Sequence, residues 1–158
     1  MNKILFASVI VLATLSITGC GGGNDEPGTP VQSETANPSE GNDKETNKSM
    51  EMNIIIGGTT ITATIEDNAT GRDFLSRLPL EVTLEDFNNT TEKIFYPTPA
   101  LDMDGAKRGC APVPGDITIY APWKNIAIFC KNWSYSNDLI KIGHIEGDGI
   151  EALRTAGI

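Results

Sequence analysis

The fold class of this chain is decided by one stretch, MNIIIGGTTITATI at residues 52–65. Two runs rich in β-branched residues flank the pair Gly57-Gly58, and glycine accepts the positive φ angles that a tight hairpin turn requires. The stretch therefore predicts an antiparallel β-hairpin, followed at residues 68–78 by a short amphipathic helix. Asn68 is a candidate N-cap for that helix, and Pro79 ends it.

Strand-like segments dominate the remainder of the chain. They alternate or cluster apolar residues over short lengths and are separated by turn residues. Residues 149–156 predict a final helical turn or two. Many short strands with one or two helices predict a mainly β protein, a closed or nearly closed barrel. The further strand segments are residues 80–87, 92–96, 116–120, 125–130 and 139–145.

The N-terminus has the pattern of a secretory signal. Residues 1–19 carry one cation, Lys3, then an apolar run of about a dozen residues, which is shorter than the ~20 that a membrane-spanning helix needs. The run closes with Ile17-Thr18-Gly19-Cys20, which resembles the bacterial lipobox. We therefore expect a signal peptide over residues 1–19, lipidation of Cys20 and attachment to a membrane through its acyl chains.

Residues 20–49 follow as the lipidated cysteine and a predicted disordered tether, since Val31 is the only large aliphatic side chain after Cys20 in that range. Asn24-Asp25-Glu26 resembles the acidic surface-export signals of Bacteroidetes lipoproteins. We expect a cell-envelope location, with the outer membrane favoured and the periplasmic or surface side left open. The formal charge of −9 argues against nucleic acid as a partner.

Residues 50–158 are the predicted folded domain, and they resemble the bacterial cyclophilin-like family. The resemblance rests on the hairpin, residues 66–70 at the helix entry, residues 115–123 and Ile142-Gly143-His144-Ile145. It implies a compact barrel of about eight strands with helices at its ends. Relatives usually continue past the Ala156-Gly157 position into a last strand, whereas this sequence stops at Ile158. We therefore expect either an open edge that can pair with another chain or a second copy, or a sequence that lacks its last strand.

Prolyl isomerase activity is the enzymatic alternative that this resemblance raises. Such enzymes hold the twisted amide with an arginine on the strand after the first helix, yet residues 80–87 contain three acids and no arginine. Leu139 stands where the family's pocket histidine is expected. The sequence favours a non-enzymatic module for a peptide or a small apolar ligand, and the alternative is an envelope isomerase or chaperone that uses Arg72 or Arg108.

Aromatic residues supply the candidate ligand groove. Trp123, Trp133 and Tyr135 fall at strand ends beside polar residues, Tyr96 precedes a proline, and Phe129 ends a strand run. Exposed loop aromatics favour a binding surface. Core packing stays open as the alternative role for Phe129.

Two cysteines remain after Cys20, and an even remainder in an oxidising compartment predicts a disulfide between Cys110 and Cys130. Two unpaired cysteines are the alternative. His144 is the only histidine, and the strand pattern places it on the face of Ile142 and Glu146. No residue pattern predicts a catalytic set, a metal or a cofactor.

Overall fold

A computed structural model of the chain describes residues 3–8 and 49–155. Within these residues the protein is mainly β, with nine strands in one antiparallel sheet and two helices. The elements are β1 (Lys3–Ser8), β2 (Ser49–Ile56), β3 (Thr59–Glu66), α1 (Ala69–Ser76), β4 (Leu80–Thr83), β5 (Glu85–Phe87), β6 (Glu92–Phe95), β7 (Asp116–Tyr120), β8 (Asn125–Phe129), β9 (Leu139–Ile145) and α2 (Gly149–Thr155).

The predicted hairpin and helix are confirmed. β2 and β3 pair antiparallel around Gly57 and Gly58, whose φ angles are 55° and 89°. Both values lie in the left-handed region that glycine adopts without steric cost. Asn68 caps α1, because its Oδ1 accepts a hydrogen bond from the Gly71 backbone N–H at 2.8 Å.

The sheet curls into a nearly closed barrel with the order β4-β1-β2-β3-β9-β7-β8-β6-β5. The two strands at the ends of this order, β4 and β5, are separated only by Leu84. Residues 80–87 are thus one bent strand whose first half pairs with β1 and whose second half pairs with β6. Counted this way, the barrel has the eight strands that the sequence predicts.

β1 is the element that joins the two sides of the barrel. Its residues pair antiparallel with β2 on one side and β4 on the other. The sequence assigns the same residues to a signal peptide and begins the folded domain at Met50. The two assignments exclude each other in any one form of the chain, since a barrel strand must be retained whereas a signal peptide is cleaved off.

The core lies inside the barrel and is formed mostly by isoleucine. On β8, Ile126 and Ile128 belong to this cluster, and Phe74 of α1 and Leu153 of α2 contribute to it from the helices. The alternate residues of β8, Ala127 and Phe129, belong to a second cluster on the opposite face of the strand. All five residues of β8 are therefore buried.

A bulge in β9 changes which of its residues face the core. The pairing with β7 runs from Ile117–Gly143 directly to Thr118–Lys141 and skips Ile142. Ile142 and Ile145 are both in the core as a result, whereas His144 is partly exposed. The prediction that His144 shares a face with Ile142 is therefore wrong, because strict alternation fails at a bulge.

The predicted lipobox at residues 17–20, including Cys20, and the tether up to residue 48 lie outside the described residues. The described helices are both too short to cross a membrane.

Candidate functional site

A groove on the outer wall of the barrel takes its floor from strand register. Phe87 of β5 pairs with Glu92 of β6, which pairs in turn with Phe129 of β8. Directly paired residues of antiparallel strands point to the same face. These three side chains therefore form one row across the sheet.

A second row lies at the other end of β8 and continues onto β7 and β9. Asn125 of β8 pairs with Tyr120 of β7, and Tyr120 pairs with Leu139 of β9. Phe129 and Leu139 both belong to the buried outer cluster, against which Tyr120 packs. The floor between the two rows is therefore apolar.

Two loop tryptophans form the walls. Trp123 lies in the turn between β7 and β8, where its backbone N–H donates to the Tyr120 carbonyl at 3.2 Å. Its ring packs edge to face on Phe87 and on Tyr120, with centroid distances of 5.5 and 5.4 Å. Trp133 follows β8, and its N–H donates to the Pro112 carbonyl at 3.0 Å, which fixes the second loop.

The cavity holds about 270 Å³. That volume suits one or two side chains of a peptide or a small molecule, and it lies at the lower end of the range for ligand pockets. Among the described residues, those that line the cavity include one carboxylate and no lysine, arginine or histidine. They are Phe87, Asn88, Glu92, Tyr120, Trp123, Asn125, Phe129, Trp133, Ser136 and Leu139.

Asn125 is the polar feature of the groove. Its side chain is 2% exposed, and its Nδ2 makes a long hydrogen bond of 3.4 Å to the Ile126 carbonyl. Its Oδ1 has no hydrogen-bond partner within the described part of the chain. A buried carbonyl oxygen without a partner is costly, so this atom is a ready acceptor for an N–H or O–H group of a ligand.

Glu92 adds an acidic group to the edge of the floor. Burial raises the pKa of its carboxyl, because removal from water disfavours the charged form. The groove thus offers an amide oxygen and a carboxyl beside aromatic walls. This set of groups suits neutral ligands that carry hydrogen-bond donors, and it disfavours anions.

The structure brings together three of the five aromatic residues predicted from the sequence. Trp123, Phe129 and Trp133 line the groove, and Phe129 is also packed in the outer cluster, so both of its proposed roles apply. Tyr135 does not line the groove. Its ring lies over Gly109, where a Cβ atom would come within 2.1 Å of the Tyr135 hydroxyl, and that hydroxyl donates to Asn137 at 3.1 Å.

Tyr96 lies in a separate depression of about 660 Å³. This depression is lined by residues of β4, which pairs with β1, and by Phe95 at the end of β6. Pro97, Pro99 and Arg77 also line it. The predicted groove is therefore two surfaces rather than one.

Sequence reasoning missed seven of the ten lining residues, and Phe87 and Asn125 are the two on which the site depends most. The signal for Phe87 is its position five residues before the predicted strand 92–96 and just before Asn88-Asn89, a turn signal that predicts a β5–β6 hairpin. No local pattern marks Asn125, because its missing partner is a property of the folded site.

The arginines are engaged away from the groove. Arg72 pairs with Asp67 at 2.5 Å, and Arg77 pairs with Asp73 at 2.8 Å while also donating to the carbonyls of Pro99 and Ala100. Arg108 does not line the groove. Among the described residues that line the groove there is no guanidinium group.

Cys110 and Cys130 are free thiols in the structure, so the predicted bridge is not formed. Cys130 is part of the barrel core, whereas Cys110 packs against the outer cluster. The two side chains thus pack into different clusters.

Comparison with known proteins identifies a family. A model described as the cyclophilin-like family matches residues 54–157 of the chain, which is well over half its length. Searches of curated proteins and of solved structures find no match.

Proposed function

We propose that this chain, which belongs to the cyclophilin-like family, is a non-enzymatic binding module that holds an apolar group of a peptide or small ligand in its aromatic groove. One observation carries the proposal. Asn125, whose buried Oδ1 has no hydrogen-bond partner among the described residues, lines a cavity that Trp123 and Trp133 also line. An apolar group that also presents an N–H or O–H would satisfy this oxygen and cover exposed aromatic surface together.

The absence of a cation from the lining favours a neutral peptide over an anionic one. A peptide meets the requirement well, since each of its residues pairs an apolar side chain with a backbone N–H. A leucine or phenylalanine side chain on the Phe129–Leu139 floor would leave that N–H close to the groove wall. Burial of such a side chain contributes about 1.5–3 kcal/mol, which on its own corresponds to weak affinity, with a dissociation constant above about 1 mM.

The test uses the tryptophans themselves. The chain has two, and both line the groove, so intrinsic fluorescence reports directly on its occupancy. We expect N-acetyl-leucinamide and N-acetyl-phenylalaninamide to change the emission in a saturable way, and N-acetyl-aspartate to leave it unchanged.

Asn125→Ala is the decisive variant and Tyr96→Ala its matched control. Loss of the acceptor should weaken binding roughly 10-fold, because a donor buried without a partner costs about 1–3 kcal/mol. Tyr96 is an exposed aromatic outside the groove, so its truncation should leave binding unchanged. Equal affinity of Asn125→Ala and wild type, with melting temperatures that agree, would contradict the proposal.

Isomerase activity is measured on the same protein with a protease-coupled prolyl-peptide assay. We expect background rates even at high protein concentration, because no arginine lines the groove. A rate above background that Arg108→Ala abolishes would favour the enzymatic alternative.

We further propose that the module is attached to a bacterial envelope membrane, with the outer membrane favoured, through acylated Cys20 and the tether up to residue 48. The lipobox-like residues 17–20 and the polar composition after them support this location. Labelled palmitate should enter the wild-type chain and not Cys20→Ser, which should move to the soluble fraction. Labelling of both forms would contradict the anchor at this cysteine.

A further inference from the structure

β1 occupies a slot between two strands that come from elsewhere in the chain. Ile4 pairs with Ile56 of β2 and Val82 of β4, and Phe6 pairs with Ile54 and Leu80 in the same way. Every backbone group that β1 satisfies on β2 and β4 loses its partner when β1 is absent. The slot is thus bounded by two strand edges, each able to pair with an added strand.

The slot also recognises side chains. Ile4 is 1% exposed and Phe6 is fully buried, with the Phe6 ring stacked 5.7 Å from Phe95 and edge-on at 5.9 Å from Phe74. Lys3 lies outside and pairs with Glu81 at 2.8 Å. The site therefore fits an extended segment with large apolar residues two positions apart and a cation just before them.

These same residues belong to the leader that cleavage at Cys20 would remove. We propose that, once the leader is gone, the slot between β2 and β4 accepts an extended segment of another protein, with Ile-x-Phe-like spacing, as an added strand. The proposal rests on the processing at Cys20 described above. It concerns a different surface from the aromatic groove.

The rest of the chain offers a poor substitute for β1. Between Gly21 and Ser49 the only large aliphatic residue is Val31, so the segment lacks two apolar side chains with the required spacing. A second copy could pair edge to edge through β2 or β4, but the inward side chains of those strands already fill their own places. The space of Ile4 and Phe6 would then stay empty, at the cost of a cavity. A separate extended segment satisfies both the edges and the cavity.

The experiment uses the full chain, exported by a bacterial host and extracted from its membranes in detergent. Its intact mass shows whether the chain begins at Cys20. The probe is a fluorescent peptide with the sequence of residues 2–9, NKILFASV. Two matched control peptides carry either Ile4→Asp with Phe6→Asp, or Leu5→Asp, which alters the side of the strand that faces away from Ile4 and Phe6.

We expect the processed protein to bind the wild-type and Leu5→Asp peptides within a few-fold of each other. The doubly substituted peptide should lose more than about 100-fold in affinity, because two carboxylates cannot be buried in an apolar slot. Binding of the wild-type peptide should also slow amide hydrogen exchange in residues 49–56 and 80–83. A processed chain that is unfolded alone and folds on addition of this peptide would support the proposal equally.

Three results would overturn it. A processed chain that ignores all three peptides, folded or not, removes the strand-acceptor site and leaves the anchor intact. A native mass of two chains, with the amides of β2 and β4 already protected from hydrogen exchange before peptide is added, shows that a second copy pairs with these edges. A membrane form that retains residues 1–19 shows that β1 has not been removed. In that case both the proposed processing at Cys20 and the proposed replacement of β1 by another strand are wrong.

Discussion

The Nδ1–H of His144 donates to Oδ1 of Asp116 at 2.8 Å, and Asp116 is only 3% exposed. Lys141 Nζ reaches the same oxygen at 2.6 Å, and the Val113 N–H donates to the other oxygen at 3.1 Å. One buried carboxylate thus connects β7, β9 and the loop before β7. The bulge in β9 makes this arrangement possible, because it turns Lys141 and His144 to the same side.

Asp116 should make the stability of the barrel sensitive to acid. Burial alone would raise the pKa of this carboxyl, but the hydrogen bonds from Lys141, Val113 and His144 outweigh burial and lower the pKa from its ordinary 3.8. A carboxyl with a lowered folded-state pKa stabilises the protein fully above its unfolded value and loses that contribution as the pH falls through the folded value. We expect Asp116→Asn to lower the free energy of unfolding by about 2 kcal/mol at neutral pH. This difference between the variant and the wild type should shrink below about pH 4.

Urea denaturation of both proteins at several pH values checks this expectation. Asp148→Asn is the control, since Asp148 is an exposed carboxylate between β9 and α2. A difference between wild type and Asp116→Asn that stays constant down to about pH 2 would contradict the assigned role of the carboxylate.

Gly71→Ala should destabilise the protein although Gly71 lies within a helix. Alanine normally stabilises a helix by about 1 kcal/mol relative to glycine. Here a Cβ on Gly71 would lie 2.1 Å from the backbone carbonyl oxygen of Glu66 and 3.0 Å from Ile65 Cγ2, so α1 would have to move off β3. We expect a loss of about 1–3 kcal/mol by thermal or chemical denaturation. Ser76→Ala, at an exposed site of the same helix, is the control and should change stability by less than about 0.5 kcal/mol. If Gly71→Ala were more stable than the wild type, α1 would not contact β3 so closely.

The two cysteines of the barrel should be free and slow to react. Burial raises the pKa of both the Cys110 and the Cys130 thiol, which lowers the fraction present as reactive thiolate. In the folded protein near pH 8, iodoacetamide should modify them at least about 10-fold more slowly than a free thiol. Unfolding without reductant should then give two alkylations on the peptides that contain them. If both cysteines instead stay unmodified and their two peptides are found linked to each other, the disulfide is established.

Phe6→Ala should strongly destabilise the unprocessed chain, synthesised in vitro so that residues 1–19 are retained. The phenyl ring is fully buried between Phe74 and Phe95, and such truncations cost about 3–5 kcal/mol. Leu5→Ala, at the neighbouring and partly exposed position of β1, should cost much less. Equal melting temperatures for the wild type and both variants would mean that β1 does not complete the barrel.

Local sequence patterns determined most of the elements of this protein. The Gly57-Gly58 turn, the Asn68 cap and the strand runs at 116–120 and 139–145 each reflect interactions between neighbours in the chain, and the structure reproduces them. The resemblance to the cyclophilin-like family supplied the barrel, and the bend at Leu84 explains why nine strands correspond to the eight expected.

Only the tertiary structure decided the site and the closure of the barrel. Register across β5, β6 and β8 aligned Phe87 with Phe129 and separated Tyr96 and Tyr135 from them, because pairing partners are distant in sequence. The unpaired Oδ1 of Asn125 exists only once its surroundings are packed. Residues 3–8 show most clearly where inference from local sequence ends. Their composition predicts a leader, whereas their fit between β2 and β4 depends on strand edges and a cavity that only the folded barrel provides.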